Sequence, residues 1–363
     1  MINNPNDPYS DQRDTALPGR PVRDPADWRA QDFKDNEEWL YHFTDDDISE
    51  LKLAVQSHDH PHVDLIGLSR KDFHLPSLEE KLLRFRQELL YGRGFINFRG
   101  LSVDSFGKRG AAIAFWAISC YLGDGMFSQN KRGHVLGHVT DLGESKENTA
   151  QRGPFSGESI PFHVDAADLV GLLCVEPAKT GGESSLISSV AVHNEILEQR
   201  PDLLPVLFEP YARDRRDEVP PGMAPWYHLA VFHIHQGYFA ASIEPTYMGS
   251  AERFDEVETM TAQQREALDL VQKIAAAECF KTNFNQGDMQ FLNNHVIFHS
   301  RDAFEDYESP GRRRHLIRVW LKAMDARPLS PNFYARHGRI EDIDRPGGII
   351  GSDTVLSAPL NRQ

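Results

Sequence analysis

Two histidines and an aspartate have the types and spacing to do chemistry. His163 and Asp165 stand two apart in Phe162-His163-Val164-Asp165, and His299 lies far downstream in Asn294-His295-Val296-Ile297-Phe298-His299-Ser300-Arg301. Two histidines and one carboxylate form the ligand set of a non-haem Fe(II) site that keeps positions open for substrates. Residues i and i+2 of a strand share a face, so His163 and Asp165 can grip one ion while a distant strand supplies His299. A lone His-x-Asp is often chance, and a strand histidine is more often a hydrogen-bonded core group. The basic run Arg312-Arg313-Arg314-His315-Leu316-Ile317-Arg318 raises the metal reading above that background. Arginine's planar fork offers a carboxylate two parallel charge-assisted bonds. Strand parity puts Arg314, Leu316 and Arg318 on one face and Arg313 on the other. Arg314 is therefore preferred for the far carboxylate of an organic co-substrate, although the register among Arg312, Arg313 and Arg314 stays open. Arg312 and Arg313 read best as a solvated turn.

Other polar groups compete for roles. His233 and His235 share a strand face near His228, but no carboxylate accompanies them, so cavity lining or plain packing suits them better than metal ligation. Gln129, Asn130, Asp168, His235 and Arg318 are the polar candidates for substrate binding. Asp168, three beyond Asp165, could meet an amine, and Arg318 a carboxylate, which together suit an amino acid or a small amino-acid-like acid. Trp226, Tyr227, Phe298 and Trp320 are more often core than pocket, given the area such side chains bury.

The elements that must position these groups are mostly strands. Short β-branched and aromatic stretches alternate with Gly, Pro and Ser turns from 133 to about 190, and Trp226 to Ile243 returns to strands, the pattern of a barrel or jelly roll. Phe291 to Phe298 and Leu316 to Leu321 are the last clear strands. Helices are expected after Thr44 with its acidic first turn, from Pro76 to Leu90, over Ala111–Tyr121, over Val190–Gln199 and over Thr261–Ala277. The last carries the stripe Ala267, Leu268, Leu270, Val271 and Ile274. The chain divides into an N-terminal arm (1–40) pinned by Trp28 and Trp39, one catalytic domain (41–330) with an insert or long loop near 202–225, and a Pro/Gly-rich tail (331–363).

Composition narrows the class. The 363 residues carry a formal charge of −15, which disfavours a nucleic-acid partner. No apolar run of membrane length and no secretory leader are written here. The three cysteines fit no zinc motif and are expected to be free thiols in a cytoplasmic, reducing setting. Partners are expected to be small molecules, and self-association through the arm is an open expectation.

In order along the chain, Gly94-Phe95-Ile96-Asn97-Phe98-Arg99-Gly100, Phe162-His163-Val164-Asp165, Gly181-Gly182-Glu183-Ser184, Asn294 to Arg301 with Phe304, and Arg314-His315-Leu316-Ile317-Arg318 together resemble the taurine dioxygenase family of Fe(II)/2-oxoglutarate oxygenases. The resemblance spans roughly 90 to 325. It implies a mainly β fold with flanking helices around a double-stranded β-helix, the cupin-like jelly roll of clavaminate synthase. It implies Fe(II), 2-oxoglutarate and O2 as cofactor and co-substrates. His163, Asp165 and His299 would be the iron ligands and Arg314 the partner of 2-oxoglutarate. Ser184 would stand where the family's hydroxyl contacts that molecule, and Arg318 where some members meet an anionic substrate. The implied reaction oxidises an aliphatic C–H, most often by hydroxylation, with release of succinate and CO2. Desaturation and ring closure are variants. Asp165 argues against halogenation, because related halogenases lack that carboxylate. The rival reading is a non-oxidative metal-binding jelly roll, which would not need Arg314.

Overall fold

The β-branched and aromatic stretches pair into two main sheets. The computed structural model describes residues 7–141, 157–336, 344–349 and 354–361. The larger sheet has the order Leu40–His42, Phe95–Arg99, Met289–Asn293, Leu169–Glu176, His315–Lys322, Gly125–Met126, and Leu136–Val139 also pairs with His315–Lys322. The smaller sheet runs Phe280–Thr282, Ser184–Ser188, Ile297–Arg301, Ile160–His163. This is the expected jelly roll. The part of the strand-rich stretch at 142–156 lies outside the described residues.

Alternation along the strands decides what each sheet shows to its neighbours. Ile317, Val319 and Leu321 join Leu169, Leu173 and Val175 against helices Glu79–Leu90 and Val103–Leu122. The opposite face of the same two strands therefore carries Leu172, Cys174, Leu316 and Arg318. Leu186, Ile187 and Phe298 of the smaller sheet pack with Val190, Val192 and Ile196 of helix Ser189–Gln199 and with Ala267, Leu268, Val271 and Ile274 of helix Ala262–Glu278. Of the expected stripe on that last helix only Leu270 is half-buried rather than buried. Thr44 and Thr261 cap their helices through reciprocal bonds with Asp47 and Gln264, as their spacing predicts.

Helix Val103–Leu122 starts well before the expected Ala111, helix Pro245–Ala251 was not expected, and two strand-bearing stretches also depart from the sequence reading. Phe291–Phe298 is two strands in different sheets, Met289–Asn293 and Ile297–Arg301. Asn293 Oδ1 accepts from the His295 amide at 2.9 Å and closes the turn between them. The turn falls at Asn293-Asn294-His295, a polar break that the apolar flanks Phe291-Leu292 and Val296-Ile297-Phe298 masked in the sequence reading. The stretch 202–225 contains a 3-10 turn at Pro205–Phe208 and a strand, Tyr211–Asp214, paired with Trp226–Leu229. Its charge is largely internal: Arg213 and Asp214 are fully buried.

The N-terminal residues from 7 onward pack against the body. Arg13 is buried between Asp7 and Asp24, each at 3.2 Å, and Trp28 Nε1 donates to the Arg93 carbonyl at 2.8 Å. Among the described residues no helix is long and apolar enough to cross a membrane, and all three cysteines are free.

Candidate metal centre and co-substrate pocket

The smaller sheet brings the two histidines together. His163 and His299 are cross-strand partners, with ring centroids 4.3 Å apart. Asp165 follows just past the strand end, its Oδ2 4.0 Å from His299 Nε2. One ligand atom from each residue lies within 4.8 Å of the others, the one such cluster of three among the described residues. His163 Nδ1 donates to the Pro161 carbonyl at 2.9 Å, so Nε2 is the ring nitrogen left for a metal. Burial, then the neighbouring His163 and Arg318, push His299 down to about 3 against the pull of Asp165. Its imidazole is therefore neutral at ordinary pH. Burial alone would raise the Asp165 carboxyl, but Arg318, His299 and His163 outweigh it and hold the group below the usual range. A neutral His299, an anionic Asp165 and a second imidazole anchored through its Nδ1 make a donor set that a divalent ion accepts, so the residues fit the metal that the sequence implies.

Arg318 and Gln129 brace this centre. Arg318 Nη1 lies 3.2 Å from both Asp165 oxygens, and its Nε donates to Gln129 Oε1 at 2.7 Å. Gln129 in turn donates to the carbonyls of Val135 and Arg318. Gln129 thus meets the site through Arg318. A turn residue to which the sequence reading gave no role also contributes: Asn294 Oδ1 accepts from the Asp165 amide at 3.0 Å, and its Nδ2 donates to the Ala167 carbonyl at 3.1 Å.

Beside the triad lies a cavity walled by Ser184, Arg301, Arg314 and Arg318 together with His163, Asp165 and His299. Arg314 is buried, and its Nη1 has no hydrogen-bond partner among the described residues. Arg312 and Arg313 are exposed, and Arg312 lies over the Tyr307 ring. Gly182 makes room for Arg314. A Cβ there would meet Arg314 Nε at 3.1 Å, and the residue sits at φ +77. The Ser184 hydroxyl, which also borders this cavity, donates to Gln290 Oε1 at 2.7 Å. Arg301 was not singled out by sequence. Its signal was parity with His299, two residues earlier on the same strand.

Three residues expected at the substrate lie elsewhere. Asp168 is fully buried and satisfied by Arg345 (2.9 and 3.0 Å), His295 (2.8 Å) and the Ala323 amide (2.9 Å). Its charge stabilises the interior, so the expectation of an amine contact is corrected. Asn130 Oδ1 accepts from the Arg132 amide at 2.9 Å and closes its own turn. His235 ends the strand Phe232–His235 opposite Tyr238 and does not line the triad's cavity. A second cavity backs onto Asp165 and is walled by Tyr227, Glu244, His295, Phe333 and Arg336. None of those five drew attention as a site residue, except Tyr227 as a weak aromatic candidate.

A jelly roll that converges two imidazoles and a carboxylate on one cavity with a buried arginine defines the class of non-haem iron oxygenases. Comparison with known proteins agrees. The family described as "Taurine catabolism dioxygenase TauD, TfdA family" matches residues 58–320, and the chain belongs to it. It is a 2-oxoglutarate-dependent non-haem iron dioxygenase that uses Fe(II), 2-oxoglutarate and O2. FR-33289 synthase of Streptomyces rubellomurinus is 28% identical over 85% of this chain and 92% of that protein. The taurine hydroxylase-like protein SAT17 of Stachybotrys chartarum is 31% identical over 82% of this chain and 79% of that protein. Among solved structures, an asparagine oxygenase with Fe(II), 3-hydroxyasparagine and succinate superimposes with TM-score 0.64, at 18% identity, over 87% of this chain and 100% of that one. The oxygenase OrfP with Fe and α-ketoglutaric acid gives TM-score 0.58 at 15% identity, over 80% of this chain and 100% of that one.

Proposed function

We propose that His163, Asp165 and His299 hold the iron, that Arg314 receives the distal carboxylate of 2-oxoglutarate, and that the substrate is a small polar acid of amino-acid type. The observation that carries this is the convergence of the three ligand groups on the cavity into which buried Arg314 also opens. Iron, when bound, supplies the activation of O2 and the oxidation of an aliphatic C–H coupled to decarboxylation of 2-oxoglutarate. The protein's residues do the rest. Pro161 orients His163, burial keeps His299 neutral, and Arg318 keeps Asp165 anionic. Arg314 fixes one end of the co-substrate so that its other end faces the triad. Val139, Leu172, Phe284 and Leu316 line the same cavity and limit water there.

Arg318 supports an acidic substrate, because it is a guanidinium on the inner face of the last strand beside Asp165. The asparagine oxygenase and OrfP structures hold hydroxylated amino acids, which favours the amino-acid type and hydroxylation. The three free thiols suit a cytoplasmic, reducing setting.

The test is an anaerobic iron titration with and without 2-oxoglutarate, followed by aerobic succinate release across amino acids, small carboxylates and larger uncharged compounds. His163→Ala and His299→Ala should each lose stoichiometric Fe(II). Retention of iron by both would remove the triad assignment. Stimulation by large uncharged compounds alone would remove the substrate class and leave the metal site standing. Product mass separates hydroxylation from desaturation or ring closure.

A further inference from the structure

We propose that the chain carries a second small-molecule site, on the far side of the larger sheet from the metal centre, which takes an amphipathic anion: an apolar body with one acidic group. The site is a cavity of about 910 Å³. Cavities that hold drug-sized ligands measure about 300–1,000 Å³. Helices Glu79–Leu90 and Val103–Leu122, the turn residues 66–71 and strand Gly125–Met126 enclose it. It shares no lining residue with the two cavities at Asp165. Ile317, Val319 and Leu321 pack toward this side of the sheet, and by alternation Arg318 faces the other.

Two features of the wall point to that ligand. Trp116 is 2% exposed, yet its Nε1 has no acceptor among the described residues, and Gln87 Oε1 on the neighbouring helix has no donor there. Buried polar atoms are nearly always paired, so an orphan donor and an orphan acceptor on one cavity mark where polar atoms of a guest belong. Ile66, Leu68, Leu83, Met126 and Leu356 supply apolar wall around them. The second feature is charge. Asp124 and Asp325 both pair with Arg86, and Asp72, just outside the lining, is taken by the Ser69 amide and hydroxyl, each at 2.8 Å. Arg70 and Arg84 lie over the Tyr121 and Phe85 rings, at 5.9 and 5.2 Å, and neither they nor Lys71 has a carboxylate within 4.0 Å among the described residues. The rim is therefore cationic in a chain of formal charge −15, and its exposed guanidiniums and ammonium attract an acid.

The experiment titrates the iron-loaded protein, kept anaerobic with saturating 2-oxoglutarate, with 1-anilinonaphthalene-8-sulfonate and with uncharged N-phenyl-1-naphthylamine, the same ring system without the sulfonate. One sulfonate dye per chain should bind, more tightly than the uncharged dye, and omitting 2-oxoglutarate should leave that affinity unchanged. Gly67 and Gly125 border the cavity, and a Cβ at either meets nothing closer than 3.8 Å. Gly67→Leu and Gly125→Leu should each weaken the sulfonate dye by about tenfold or more, with urea midpoints near the parent's. Arg70→Gln/Lys71→Gln/Arg84→Gln should cut the ratio of the two affinities by about fivefold or more, a ratio that general destabilisation does not move. Absent or equal binding of the two dyes in the parent, displacement by 2-oxoglutarate, parent-like binding in both glycine variants, or an unchanged ratio in the triple variant each overturns the proposal. None of these results bears on the metal and co-substrate assignments, which rest on other residues.

Discussion

Gly182 shows how one missing side chain can decide a binding pocket. Its φ of +77 disfavours any L side chain, and a Cβ would press on Arg314 Nε at 3.1 Å and Phe304 Cβ at 3.3 Å. Gly182→Ala should therefore raise the 2-oxoglutarate KM, while Gly311→Ala, where nothing lies within 4 Å, should not. Equal KM values in the two variants would show that the glycine does not seat the arginine. Arg314→Ala and Arg313→Ala give the matching contrast. Losing a buried charge partner typically costs about 3–5 kcal/mol, so the 2-oxoglutarate requirement should rise steeply for Arg314 and little for exposed Arg313. Steady-state kinetics on both variants checks the register, and a reversed order would refute it.

The turn between the two strands of the Phe291–Phe298 stretch is the element that joins the sheets at the metal centre. Asn294 holds the Asp165 amide and the Ala167 carbonyl from this turn, so the carboxylate's approach depends on a residue from the other half of the chain. Asn294→Ala leaves those two backbone groups without these bonds, a loss of about 1–3 kcal/mol each in a buried setting. The expected result is a lower urea midpoint together with weaker Fe(II) binding. A stability loss with unaltered iron affinity would show that the turn does not position Asp165.

At the scale of the whole molecule, buried charge ties the chain ends to the barrel. Asp24 receives Arg13 at 3.2 Å and Arg327 at 3.3 Å, with all three side chains essentially fully buried. Asp24→Ala would take the carboxylate from buried Arg327 and leave Arg13 with Asp7 alone, and should cost about 3–5 kcal/mol, read as a fall in urea midpoint. His233 gives the fold an acid limit. Its Nε2 donates to the Ala230 carbonyl (3.1 Å), its Nδ1 accepts from Ser330 Oγ (3.2 Å), and burial pushes it down to about 4. An unfolded histidine takes its proton near pH 6.5. Between about 6.5 and 4 the unfolded chain therefore binds more protons than the folded one, so stability is full above 6.5 and falls as pH drops through that window. The loss at pH 4 should approach about 3 kcal/mol. His233→Gln should flatten that part of the profile, and an unchanged slope would assign the acid sensitivity to other groups.

Local pattern alone carried the helices with their Thr44 and Thr261 caps, the i and i+2 pairing of His163 with Asp165, and the parity that favoured Arg314 over Arg313. Each depends on backbone periodicity, which acts between residues near in sequence. The sequence also carried the family, because several short motifs occurred in order. It could not show that Asp168 is consumed by Arg345 or that the Ser184 proton goes to Gln290, nor that Asn294 reaches Asp165. Those facts are pairings between residues over a hundred positions apart. Burial and hydrogen bonding at such separations are fixed only when the sheets close, and closure decides which polar groups face the cavity and which stabilise the interior.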